Sequence, residues 1–207
     1  SSNYISRVKK SKEISAEELM RATLDRIAEV NGTVNAVVSL RDEADCLADA
    51  HAADQSVPKG PLHGLPVAIK DLANVEGMLT SMGSPIFANN IALKDDLMVA
   101  RIKAAGAIVI GKTNAPEFGL GSHTFNPVHG TTHNPYDPGR SAGGSSGGAA
   151  AALATGMIPI ADGSDMMGSL RNPAAWNNVY GLRPTYGLVP LDMPGDMFCH
   201  QLAVAGP

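Results

Sequence analysis

Residues 134–160 read NPYDPGRSAGGSSGGAAAALATGMIPI. At their centre, Gly143, Gly144, Gly147 and Gly148 surround Ser145 and Ser146. Glycine permits close backbone approach and dihedrals that a Cβ forbids. The alanine run from Ala149 predicts a helix over 149–155, because alanine is the strongest helix former. The two serines therefore sit at a helix N-terminus, where free N–H groups and the helix dipole favour negative charge. A flexible linker is the competing reading, and the apolar sequence on both sides argues against it. Residues 158–161 read as a buried strand after the helix.

Working outward, the same alternation continues. Ser15-Ala16-Glu17-Glu18 forms a capping box, and Met20, Leu24, Ile27 and Val30 follow at helical spacing. Asn31-Gly32 is the expected stop of that helix. A weaker helix is expected over 41–53 and another over 96–105. Residues 65–69 and 107–110 read as short buried strands, the first with Lys70-Asp71 at its C-terminal end. Residues 117–140 show no sustained period and read as a long loop, and 173–178 as a short helix. Helices alternating with buried strands indicate an α/β fold. No repeat or interdomain linker divides the chain, so residues 1–207 read as one domain.

Composition narrows the function classes. Charged residues make up 17% and aromatic residues 4%, so the core must be built from small and aliphatic side chains. A net charge of −4 gives no basis for expecting a nucleic-acid partner. Cys46 and Cys199 could pair, yet two cysteines fit a reducing compartment better than a disulfide framework. No apolar run reaches membrane-spanning length and no signal-peptide core opens the sequence, so no membrane association and a cytoplasmic location are expected.

Two apparent motifs are set aside. Residues 106–113 satisfy GxxxxGK[ST] literally, but the middle residues Ala-Ile-Val-Ile are a strand, and Pro116 breaks the helix that a phosphate loop requires. His123, His129 and His133 lie close in sequence, but nothing fixes them on one face, and no metal site is assigned.

The chemistry-bearing positions lie elsewhere. Lys70 ends an apolar strand, and a buried lysine is rare because burying an ammonium is costly. Snorkelling of Lys70 to the surface is the competing reading. Residues 163–175, GSDMMGSLRNPAA, combine Ser, Asp, Gly and Arg in a tight turn after a strand. Successive N–H groups in such a turn can form an oxyanion hole. A structural turn with Asp165 paired to Arg171 reads equally well from this stretch alone.

Together these segments resemble the amidase-signature family. The resemblance rests on GLPVAIKD (64–71), GKTNAPEF (111–118), NPYDPGRSAGGSSGG (134–148), GSDMMGSLRNPAA (163–175) and GLRPTYGLVP (181–190), which occur in the family's order. It covers nearly the whole chain from about residue 12 onward. It implies an α/β fold with a central mixed sheet flanked by helices on both faces. The chain ends inside a motif that the family continues, so the N-terminal half of a longer domain is expected.

The resemblance also implies a serine–serine–lysine triad. Ser169 would be the nucleophile, Lys70 the base and Ser145, after a cis peptide bond, the proton relay. The spacing of Ser145 and Ser169 in the family pattern selects Ser145 over Ser146 as relay. The N–H groups of Met166, Met167, Gly168 and Ser169 would surround the oxyanion. Ser146, Asp165 and Arg171 would support the site. No metal or organic cofactor is implied. The implied reaction is hydrolysis of a small-molecule carboxamide through an acyl-serine. The alternatives are the glutamine-hydrolysing component of a transfer-RNA-dependent amidotransferase and, from another class, a non-catalytic protein keeping the fold. Met166-Met167 and residues 124–127 look more like free-standing amidases, for which self-association into a homo-oligomer is open. Met167 stands where the family usually has glycine, so a strained backbone is expected there, with the Met167 side chain packed into an apolar pocket beside Met166.

Overall fold

The computed structural model describes residues 13–190 and 204–207. Helix α1 spans Ala16–Val34 and β1 Val37–Val38. Next come α2 (Glu43–Gln55), β2 (Pro66–Lys70), α3 (Leu97–Ala104) and β3 (Ile108–Thr113). After them lie β4 (Phe125–Asn126), β5 (Gly130–Thr131), α4 (Gly147–Ala154), β6 (Gly163–Asp165), α5 (Arg171–Trp176) and β7 (Val204–Gly206).

The capping box at Ser15 is formed in both directions, through the Ser15 and Glu18 side chains. The helix does not stop at Asn31-Gly32. It runs to Val34 and ends on Asn35, which takes the left-handed conformation. Asn31 acts as a bracket instead, its Oδ1 accepting the N–H groups of Ala36 and Val37 at 2.9 Å each. An amide that caps the outgoing chain from inside the helix thus replaces the expected terminator.

The main sheet has the order β1-β3-β2, with β2 parallel and β1 antiparallel to β3. Ala68, Ile108 and Ile110 face a core with Met20, Leu24 and Ile27 of α1 and Ala149, Ala151 and Ala152 of α4. Val67, Ile69 and Val109 face Val99 of α3 on the other side. Each large aliphatic side chain so buried contributes about 1.5–3 kcal/mol. The sheet is therefore mixed and helix-covered on both faces, as the α/β reading requires.

One irregularity decides where the lysines go. Val67 pairs with Val109 but Ala68 with Gly111, so Ile110 is an extra residue in β3. Such a bulge shifts the strand's alternation by one. Beyond it, Lys112 faces the Ile69 side and Thr113 the Lys70 side.

The third expected strand, over 158–161, does not form. Ile158 and Ala161 are buried, but Pro159 lacks the N–H a ladder needs. Pairing begins only at Gly163, against Gly206 of β7. The long loop over 117–140 holds the short β4–β5 pair, one 3₁₀ turn and a single bridge from His133 to Ser141. Within residues 106–113, Ile108–Thr113 form strand rather than a phosphate loop, and a 3₁₀ turn follows Pro116. Cys46 is buried with a free thiol, and Cys199 lies outside the described residues. Among the described residues, no helix is long and apolar enough to cross a membrane.

Candidate active site

Lys70 ends β2 and is 1% exposed. Its Nζ donates to Ser145 Oγ at 2.8 Å, Ser146 Oγ at 2.8 Å and Ser164 Oγ at 3.0 Å. An ammonium has three donors and no acceptor; a neutral amine has two donors and a lone pair. Three hydroxyls therefore satisfy either form, since a hydroxyl can turn its own proton toward the lone pair. Burial pushes the Lys70 pKa down to about 7, against the opposing charges of Asp162 and Asp165. The amine can then exist unprotonated near neutral pH.

The loop before α4 brings the two serines to Lys70. The Gly144–Ser145 peptide bond is cis, and Gly143 has φ +79°. Thr124 braces the loop: its Oγ1 donates to the Gly143 carbonyl at 2.8 Å and accepts the Gly147 N–H at 3.1 Å. Gly148 is required for packing, because a Cβ there would lie 2.3 Å from the Asn114 backbone nitrogen just past β3. Helix α4 can thus lie directly on the end of the sheet that carries Lys70.

The turn between β6 and α5 is organised by Asp165, which is fully buried. Its carboxylate accepts the N–H groups of Gly168 (2.8 Å), Leu170 (3.2 Å) and Arg171 (3.4 Å). Arg171 adds a two-point pair at 2.9 and 3.0 Å, and Arg183 stands 3.4 Å away. Burial alone would raise the Asp165 carboxyl, but the Arg171 side chain and the three N–H donors hold it well below the usual carboxylate range. Gly168, at φ +121°, makes the reversal possible.

This turn delivers Ser169. The Ser169 carbonyl accepts the Ser146 N–H at 3.1 Å, which fixes it beside the loop of Ser145 and Ser146. Its own hydroxyl makes no hydrogen bond with a described residue and is only partly buried.

Of the expected site residues, Lys70, Ser145 and Ser146 meet directly, and Ser169 joins them through the main chain. Asp165 and Arg171 hold the turn without touching Lys70. One expectation for the oxyanion donors is corrected. The Gly168 N–H points inward to Asp165 and is withdrawn from the set. The N–H groups of Met166, Met167 and Ser169 have no partner among the described residues. The expectation for Met167 is corrected too. It takes no positive φ, and its side chain is 88% exposed rather than packed beside Met166. The left-handed demand of the turn falls on Gly168, so a side chain at position 167 meets no such strain.

Several residues were missed from sequence. Ser164, beside Asp165 in the quoted motif, is a direct partner of Lys70. Asp162 accepts the Lys70 main-chain N–H at 2.9 Å, and its only signal was an acid ending an apolar run. Lys112 is a second buried lysine, bound to the Ala73 carbonyl and to Thr80 Oγ1. The three loop histidines go separate ways: His123 to Ser141, His133 to the Pro138 carbonyl, and His129 to Ser81 beside Asp71. A wide groove of about 760 Å³ lined by Arg41, Asp49, His63 and Lys103 contains none of the candidate residues. A cavity of about 200 Å³ opens beside Lys70, Asp162 and Ser164.

The sequence profile of the family described as Amidase matches residues 18–207. The chain belongs to the amidase family. Among amidase relatives, the A component of the glutamyl-tRNA(Gln) amidotransferase of Azoarcus sp. (strain BH72) is 45% identical over 181 residues, covering 86% of this chain and 37% of that protein. The acylamidase of Rhodococcus erythropolis is 42% identical over 203 residues, covering 95% of this chain and 42% of that protein. The peptide amidase of Stenotrophomonas maltophilia superposes with a TM-score of 0.88 at 34% identity, covering 98% of this chain and 43% of that one. The fold is thus the amidase-signature α/β fold, and the chain spans less than half the length of each of these amidases.

Proposed function

We propose that the protein containing this chain hydrolyses a carboxamide C–N bond, with Ser169 as nucleophile, Ser145 as relay and Lys70 as base. The observation that carries the reading is the buried Lys70 amine 2.8 Å from Ser145 Oγ. A lysine can serve as general base only when unprotonated, and its burial supplies that condition. Ser169 Oγ attacks the carbonyl carbon and passes its proton to Ser145 Oγ, whose own proton goes to Lys70 Nζ. The N–H groups of Met166, Met167 and Ser169 are the donors available to the resulting oxyanion. When the C–N bond breaks, the proton returns from Lys70 through Ser145 to the leaving nitrogen. Water then cleaves the acyl-serine by the same route, releasing the carboxylate.

A second reading is glutamine hydrolysis as one component of an amidotransferase, favoured by the 45% identity to the Azoarcus protein. The free-standing reading is favoured by the acylamidase, which aligns over 95% of this chain against 86% for the Azoarcus protein. A non-catalytic role leaves the three-hydroxyl setting of a buried lysine without a purpose. The test is amide release by the full-length protein on a panel of carboxamides including glutamine. A serine-directed acylating probe should mark Ser169 and leave Ser169→Ala unmarked. Labelling at Ser145 that persists in Ser169→Ala would overturn the assignment. Glutamine turnover that appears only with a partner protein would favour the second reading.

A further inference from the structure

We propose that Asp162 is a positioning residue for Lys70: its carboxylate anchors the main chain of the base and sets a negative charge facing the amine. The inference rests on the role given to Lys70 above.

The geometry begins at the edge of the sheet. Asp71 donates its N–H to the Thr113 carbonyl, so the Lys70 N–H points away from β3. Asp162 Oδ1 takes it at 2.9 Å. Two residues on, Ser164 Oγ holds the Lys70 Nζ at 3.0 Å. Residues two apart in an extended chain share a side, so one short segment grips the lysine at both ends. That segment runs directly into Asp165 and the turn bearing Ser169. The base and the nucleophile are thereby fixed to the same piece of backbone.

The charges around the pair single out Asp162. Lys70 faces Asp162 and Asp165; Lys112, across the sheet, faces Asp71, Asp96 and Asp162. Asp165 is paired with Arg171 and flanked by Arg183. Asp71 is bound by Ser81 with His129 beside it, and Asp96 takes the Asn74 N–H and side-chain amide. The Asp162 side chain is held by main-chain N–H groups, that of Lys70 at 2.9 Å and its own. The cations acting on its carboxylate are the two buried lysines themselves, Lys70 and Lys112. Burial drives the Lys70 proton off and, working on Asp162 itself, pushes that carboxyl up. An anionic Asp162 opposes the first effect and keeps the amine basic enough to accept a proton.

Asp162→Asn in the full-length enzyme tests this, since it keeps the acceptor and the volume while removing the charge. The acid limb of kcat/KM should move down by about one pH unit, with a plateau several-fold lower, because a weaker base is neutral sooner but accepts less readily. KM and Tm should change little, and Asp162→Glu should return the limb toward its original position. A folded Asp162→Asn enzyme with an unmoved limb would overturn the proposal and leave Asp162 a purely structural acceptor. Should the Asn variant fail to fold, carbon-13 titration of Lys70 Cε and Asp162 Cγ in the wild-type enzyme decides instead. Linked two-step curves are expected, and independent single steps would refute the charge role. Lys70→Ala separates the two claims. Full activity in that variant defeats the role of Lys70 as base, on which this proposal rests, whereas loss there with no shift in Asp162→Asn defeats only the role of Asp162.

Discussion

The Lys70 amine is as close to the Ser146 hydroxyl as to that of Ser145, 2.8 Å in each case. The two serines differ in what else they hold. Ser146 is tied by its N–H to the Ser169 carbonyl and lies by Ser164, whereas the Ser145 hydroxyl has Lys70 as its single hydrogen-bond partner among the described residues. Ser145 is thus the hydroxyl free to exchange its proton. Ser145→Ala should lower kcat by about 10²–10⁴-fold. Ser146→Ala should cost about 10–100-fold, the loss of one hydrogen bond to a buried amine. Steady-state kinetics on both variants would show the order, and a larger loss in Ser146→Ala would reverse the assignment.

Activity should rise with pH through about 7, as Lys70 gives up its proton. Lys70→Arg should be inactive across the range, because a guanidinium does not deprotonate. A pH–rate profile of kcat/KM checks both points. An arginine variant that keeps the same limb would remove Lys70 from the base role.

Stability carries the same signature with a definite sign. Burial pushes the Lys70 pKa from its ordinary value of 10.5 down to about 7 in the folded chain. Between those values the unfolded chain holds a proton that the folded chain lacks, so stability rises with pH across that window. Lys70→Met removes this contribution. The variant's stability advantage should be greatest below pH 7 and should shrink by about 1.4 kcal/mol per pH unit up to about pH 10. Denaturant melts at several pH values would show it, and a constant gap between the two proteins would contradict the burial argument.

Asp165 and Arg171 should respond unequally to substitution. Asp165→Ala leaves three backbone N–H groups and a guanidinium without their acceptor in a fully buried site, and should cost about 3–5 kcal/mol. Arg171→Ala should cost much less, because its side chain is 56% exposed and Arg183 stands near the same carboxylate. Thermal melts rank the two, and equal losses would show that the guanidinium rather than the carboxylate holds the turn.

Much of this was legible in residues 134–160 and 163–175. The Gly-Ser loop and the alanine helix follow from glycine freedom and alanine propensity, and the Asp165–Arg171 turn from its spacing. Position within the sheet was less legible. No periodicity reveals that Ile110 is an extra residue in β3, so the inward turn of Lys112 could not be read. Pro159 was visible, and its missing N–H should have counted against a strand over 158–161. The inward-facing Gly168 N–H depends on how the turn closes over Asp165, which side-chain identity alone does not specify.

The join between Ser146 and Ser169 is made by an N–H and a carbonyl, with no side chain taking part. Deleting a hydroxyl at either position leaves that join standing. A full-length Ser169→Ala protein should therefore keep the outline of its cleft while losing the proposed nucleophile. Immobilised, such a protein becomes a capture reagent: amides that it recognises are held rather than consumed. Mass spectrometry of what it retains from a cell extract would then identify the molecules for which the cleft is shaped.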